Sequence, residues 1–76
     1  MDAKQVFESL GYIQSREDDD YILYEKEIDN GEDLKIVSFC DQLRNVKVYY
    51  ESEMDTPSID MELFKAISMQ IKELGW

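Results

Sequence analysis

The tripeptide Leu-Gly-aromatic occurs twice, as Leu10-Gly11-Tyr12 and Leu74-Gly75-Trp76, and no other feature constrains the fold so strongly. Glycine accepts the left-handed conformation that ends a helix, and an apolar residue after it packs back on the last turn. Each tripeptide therefore reads as a helix stop, with Phe7 expected against Tyr12 and Ile71 against Trp76. Before the first stop, Ala3, Val6, Phe7 and Leu10 fall at i, i+3, i+4 and i+7, and Asp2 and Gln5 have capping-box spacing. Before the second, Thr56, Pro57 and Ser58 lead into a stripe of Ile59, Leu63, Phe64, Ile67, Ile71 and Leu74. Asp60 and Glu62 in its first turn suit the helix dipole.

Helices at both ends leave the middle for strands. Three runs have the β-branched and aromatic content of strands: Tyr21 to Ile28, Leu34 to Cys40 and Val46 to Glu51. Asn30-Gly31 marks a hairpin between the first two. A two-residue loop would oppose Lys26 to Lys35, whereas a three-residue loop opposes Glu27 to Lys35 and aligns Ile28 with Leu34. The second register is electrostatically better. It puts Ile22, Tyr24, Ile28, Leu34, Ile36 and Cys40 on one face, continued by Val46, Val48 and Tyr50, for both helices to cover. The expectation is a single α+β domain over residues 1–76, α-β-β-β-α, with a three-stranded antiparallel sheet and two helices on one face. A chain of 76 residues has one small core, burying only about 60% of its unfolded surface.

In that register the opposite face carries Tyr21, Leu23, Val37, Phe39 and Tyr49 among Glu25, Glu27, Lys35 and Lys47. It is more apolar than a solvated face needs to be, which marks it as a partner-binding surface unless a connection such as Glu51 to Ser58 covers it. On the second helix Met61 and Met69 project away from the Ile67–Ile71 stripe. Trp76 reads as a cap residue rather than a recognition anchor, and Cys40 as a small buried hydrophobe.

Eighteen acids against eight bases give a net charge of -10, which argues against direct binding to nucleic acid or anionic membrane surfaces. The acids are segregated. Residues 14–33 hold nine acids and two bases, residues 51–62 five acids and no base, and residues 34–50 three bases and one acid. Glu25, Glu27 and Asp29 alternate along one strand at a spacing of about 6.6 Å. With Glu17, Asp18, Asp19 and Asp20 they form the alternative contact surface, an imitation of nucleic acid offered to a basic groove. The competing reading is a solvated, edge-protecting strand.

The chemistry available is narrow. With no His, a catalytic triad or a transition-metal site lacks its commonest member, and Cys40 has no imidazole to activate it. Carboxylates alone remain, in polar segments unsuited to raised pKa values, so the chain reads as non-catalytic. Asp29-Asn30-Gly31-Glu32-Asp33 lacks the spacing and the final Glu of a calcium loop. Gly11, Gly31 and Gly75 are isolated, so no phosphate-binding loop exists. The element order matches double-stranded RNA-binding domains, but a second helix beginning Ser58-Ile59-Asp60-Met61-Glu62 would set carboxylates against phosphates. No cofactor and no metal are expected. A lone Cys40 and the lack of an apolar stretch of about 20 residues fit a reducing cytoplasm and no membrane.

Ala3, Lys4, Phe7, Glu8, Leu10, Gly11 and Tyr12, then Tyr21 and Tyr24, then Ala66-Ile67, Gln70-Ile71 and Glu73-Leu74-Gly75-Trp76 carry a further signal. On these residues the chain resembles small uncharacterised proteins encoded in phages and prophages of Gram-positive bacteria. That resemblance implies a mobile-element origin and action in the bacterial host cytoplasm, and it brings no catalytic residues with it. The expected function is non-catalytic binding through protein–protein contact, with the chain itself (a homodimer), a host protein or a phage protein as partner. The alternative is acidic inhibition of a host nuclease or defence protein.

Overall fold

The computed structural model describes residues 1–76 and orders them as α1 (Ala3–Ser9), β1 (Ile13–Glu17), β2 (Tyr21–Ile28), β3 (Asp33–Cys40), β4 (Asn45–Tyr50) and α2 (Met61–Leu74). A short 3₁₀ turn, Asp29–Gly31, joins β2 to β3. The strands form one antiparallel sheet in the order β1-β2-β3-β4. The architecture is α+β: a helix, a four-stranded antiparallel sheet and a helix, with the two helices in contact. No helix is long and apolar enough to cross a membrane.

Both helix stops form as the sequence predicts. In α1 the Asp2 carboxylate accepts from the Gln5 amide at 2.8 Å while the Gln5 side chain accepts from the Asp2 amide at 3.0 Å. At its end Gly11 takes φ +94°, the Tyr12 amide donates to the Phe7 carbonyl and the Gly11 amide to Glu8. The Phe7 and Tyr12 rings then meet edge-on at 5.6 Å. In α2 the Trp76 amide donates to Ile71 and the Gly75 amide to Lys72, the same pair of bonds. The Trp76 indole also reaches Phe39, 6.4 Å away between ring centres.

The start of α2 is later than its periodicity predicts. Asp60 is the N-cap, accepting from the Leu63 amide at 2.8 Å, so Ile59 lies outside the helix and is half exposed. Phe64 is also 54% exposed, because the buried stripe runs through Leu63, Ala66, Ile67 and Gln70 instead. Glu73, near the end of α2, accepts from the Ala3 amide at 2.6 Å and so satisfies a free donor in the first turn of α1.

Two expectations about the sheet are corrected. First, it has four strands, since Ile13–Glu17 pairs with β2 along an edge. Gln14 lies opposite Tyr24 and Arg16 opposite Leu23, so Ser15 is an extra, bulged residue. The bulge breaks the alternation by which a strand is recognised, in a segment that is mostly polar. Second, Lys26 lies opposite Lys35 and Ile28 opposite Asp33, the register that like-charge repulsion disfavours. The connection bends through Asp29 (φ +52°), Asn30 (φ +58°) and Gly31 (φ +86°). The two lysines escape each other: the Lys26 ammonium sits 5.6 Å from the Tyr12 ring centre, and Lys35 donates to the Ser58 carbonyl at 3.0 Å.

This one-residue difference turns over every side chain of β3. Val37 and Phe39, expected on the partner-binding face, are 0% and 1% exposed and share the core with Ile22 and Tyr24. Leu34, Ile36 and Cys40, expected in the core, face the other way. Ile22, Tyr24, Ile28, Val46, Val48 and Tyr50 stay on the inner face as expected. Side chains of both helices, Phe7 from α1 and Leu63, Ala66 and Ile67 from α2, enter the same cluster. Phe7 stacks on Tyr24 with ring centres 3.9 Å apart and planes within 11°, and Phe39 meets both rings edge-on.

One polar chain crosses this apolar cluster. The Tyr24 hydroxyl donates to the Gln70 carbonyl oxygen at 2.6 Å and accepts from Gln14 at 3.3 Å. Burial raises the pKa of Tyr24 above the ordinary tyrosine value. Tyr12 is pushed further, to about 12, by burial and then by the nearby Asp60 and Tyr50.

Candidate functional site

The second face of the sheet is built in rows across the strands. Tyr21, Cys40 and Asn45 form one row, Arg16, Leu23, Ser38 and Lys47 the next, and Ile13, Glu25, Ile36 and Tyr49 a third. Ile36, Ser38 and Cys40 are buried although they point to this face, because β3 is flanked by side chains on both sides. Tyr21 and Tyr49 stand at the margins, and Leu43, 70% exposed, projects from the β3–β4 turn. Together they frame an open depression of about 630 Å³ whose wall includes Tyr21, Cys40, Leu43, Lys47, Tyr49 and Glu53. No residue of either helix lines it.

Of the five residues expected on this surface, Tyr21, Leu23 and Tyr49 lie on it, while Val37 and Phe39 lie in the core. Ile13, Ile36 and Leu43 belong to the face and were missed. Leu43 carries no periodicity signal as a single apolar residue in a polar turn, and Ile13 and Ile36 depend on the bulge and on the register. The segment after β4 covers the face only at its margin, through Glu53. It is anchored elsewhere, at the strand end, where the Ser52 hydroxyl and amide donate to the Asp33 carboxylate at 2.6 and 3.0 Å, and at Ser58, whose carbonyl accepts from Lys35 on the inner side. The Ser52 bond leads in holding Asp33 below the usual aspartate pKa.

At the Tyr21 margin the electrostatics are specific. The Arg16 guanidinium lies 4.8 Å from the Tyr21 ring centre and its Nε donates to the Asp18 carboxylate at 2.6 Å. The same carboxylate accepts from the Tyr21 and Asp20 amides. Arg16 first, and then these amides, lower the Asp18 pKa to about 2. The neighbouring Cys40 thiol is the main cause of a raised Tyr21 pKa.

The acids expected to form a single contact surface are divided among four places. Glu17 lies opposite Ile22 on the inner side of the sheet. Asp18 organises the β1–β2 hairpin, while Asp20 accepts from the Asp41 amide and from the Gln42 side chain. Glu25 and Glu27 face the open side from β2; Glu25 is paired on both flanks and so protects no edge, while Glu27 lies just beyond the end of the β1 pairing. Asp29 sits in the turn at the far end of β2 with φ +52°. No three His, Cys, Asp or Glu residues converge in a way that would hold a metal ion.

Comparison of the chain with protein-family models, with curated proteins and with solved structures returned no match.

Proposed function

We propose that this is a non-catalytic binding protein that contacts another protein through the open face of its sheet, with both helices on the opposite side. The depression framed by Tyr21, Leu43 and Tyr49 carries the reading. Exposed aromatic and branched side chains around a concave patch are the usual anchors of a protein interface. Glu53 in its wall, with Glu25 and Glu27 farther along the same face, on a chain of net charge -10, favours a partner with an apolar centre and a basic rim. The phage and prophage resemblance suggests a bacterial host or phage protein in the cytoplasm as that partner.

The acidic-mimic reading gains less support. A nucleic-acid mimic needs regularly spaced, free carboxylates on one surface, and here Asp18 is engaged by Arg16 and the hairpin amides.

The test uses three tagged baits in a Gram-positive lysate: the natural chain, Leu43→Ser/Tyr49→Ser on the open face, and Lys65→Ser on exposed α2. A protein retained by the first and third but lost from the second, and then titrated in purified form with the same ranking, supports the proposal. Identical partner sets from all three baits would overturn it. Release by moderate salt, insensitive to Leu43 and Tyr49, would replace it by the electrostatic reading.

A further inference from the structure

The two edges of the sheet are built by different rules. The outer strand β1 is short, bulged at Ser15 and carries Arg16 and Glu17, which is how sheets discourage pairing with other chains. The opposite edge, β4, pairs regularly with β3 over its whole length, has no proline and contains one charge, Lys47, among Val46, Val48, Tyr49 and Tyr50.

The direction of its free groups follows from one bond. The Glu51 amide donates to the Leu34 carbonyl at 2.8 Å, so these two form a hydrogen-bonded pair at the end of the β3–β4 ladder. Such pairs alternate along an antiparallel ladder. Asn45, Lys47 and Tyr49 therefore bond to β3, and the main-chain groups of Val46, Val48 and Tyr50 point outward. Of these, only the Tyr50 carbonyl is used by a turn, accepting from the Glu53 amide.

We propose that β4 pairs antiparallel with β4 of a second copy across a two-fold axis at Val48, joining two four-stranded sheets into one. Symmetry allows a centre at any residue of β4, but only Lys47 and Val48, at the middle of Asn45–Tyr50, keep most of the strand paired, and the side chains choose between them. Centring on Lys47 sets two ammonium groups against each other and draws Arg44, with φ +49°, into the ladder. Centring on Val48 forms about six main-chain hydrogen bonds and places Lys47 beside the partner's Tyr49. It also brings Arg44 to the partner's Glu51 and Glu53. The only ion pair within the chain is Arg16–Asp18, so all three groups are free to meet. The pairing rests on the main-chain edge of β4 and the proposed binding contact on side chains of the open face, with Lys47, Tyr49 and Glu53 bordering both.

Sedimentation over a range of protein concentrations tests the pairing. The expected species is a dimer of the 9.0 kDa chain that tightens with salt, because the long-range repulsion between two copies of charge -10 is screened. Val48→Pro removes the central outward N–H without deleting a β3–β4 bond and should give a monomer with an unchanged circular dichroism spectrum. Arg44→Glu changes an exposed turn residue and should weaken the dimer about five- to tenfold, with recovery in Arg44→Glu/Glu51→Arg. Should Val48→Pro unfold the chain, this charge exchange decides alone. A natural chain that stays monomeric at about 1 mM, or a dimer indifferent to both substitutions, overturns the proposal. Sensitivity to Val48→Pro alone overturns the Val48-centred register and leaves the edge pairing.

Discussion

Phe39→Ala discriminates between the two registers of β3. In the observed register the Phe39 ring is 1% exposed and touches Phe7, Tyr24 and Trp76 with ring centres 6.1, 6.2 and 6.4 Å away. Truncating so enclosed a phenylalanine costs about 3–5 kcal/mol, and the loss of edge-on ring contacts places it in the upper part of that range. A chain of this length has a total stability of about 4–11 kcal/mol, so the substitution removes a large share of it. In the alternative register Phe39 would be a surface residue like Tyr49, for which Tyr49→Ala should cost about 1 kcal/mol. Urea unfolding followed by circular dichroism and by the fluorescence of Trp76, the only tryptophan, measures both. With a slope of about 1 kcal/mol/M, the two midpoints should differ by about 3 M. Equal small losses at Phe39 and Tyr49 would refute the packing argument and return Phe39 to the surface.

Acid sensitivity should report on Asp18. Its folded pKa of about 2 lies below the ordinary 3.8, so its contribution is complete above about pH 4 and is lost as the pH falls toward 2. The thermal midpoint of Asp18→Asn should therefore fall less steeply over that interval than that of the natural chain. Tyr24→Phe leaves the buried Gln70 oxygen without its donor and should cost about 1–3 kcal/mol by urea unfolding. Adding Gln70→Leu to it should cost much less than the two single effects summed, because the unsatisfied group is then gone. Gly75→Ala meets no neighbour within 4 Å but must hold φ +78°, so backbone strain alone should lower stability by about 1–2 kcal/mol.

Local signals made the helix ends and three strands legible, and a non-local competition hid the register between β2 and β3. Asp2, Gln5, Gly11 and Gly75 act on residues three to five positions away, so their spacing in sequence is their spacing in space. The β2–β3 register was a contest between energies of different size. A favourable Glu27–Lys35 pair on a strand contributes about 0.2–1 kcal/mol, whereas the observed register encloses Val37 and Phe39, worth about 1.5–3 kcal/mol for each side chain, while Ile36 and Cys40 stay buried on the other face. Burial prevails, and the lysines it sets opposite each other find Tyr12 and Ser58 instead. Tyr12 lies at the stop of α1 and Ser58 before α2, so neither compensation can be read from the hairpin itself. Tyr21, Leu23 and Tyr49 were assigned to the right face because β2 and β4 keep their orientation. Val37 and Phe39 were lost from it because β3 alone is turned over.

Charge segregation then acquires a spatial meaning. Residues 34–50, a stretch in which bases outnumber acids three to one, form most of β3, the turn to β4 and β4 itself. The bulged edge adjoins the acidic β1–β2 hairpin, and the regular edge carries Lys47 with Arg44 just before it. An apolar contact loses least to long-range repulsion where local charge is smallest, and the repulsive part of an acidic chain protects most where pairing is unwanted. The depression at Tyr21, Leu43 and Tyr49 and the free main-chain groups of β4 border the same part of the fold. The Asp18 carboxylate of the hairpin then serves a purpose that needs no partner: it holds Arg16 and the Tyr21 amide in place.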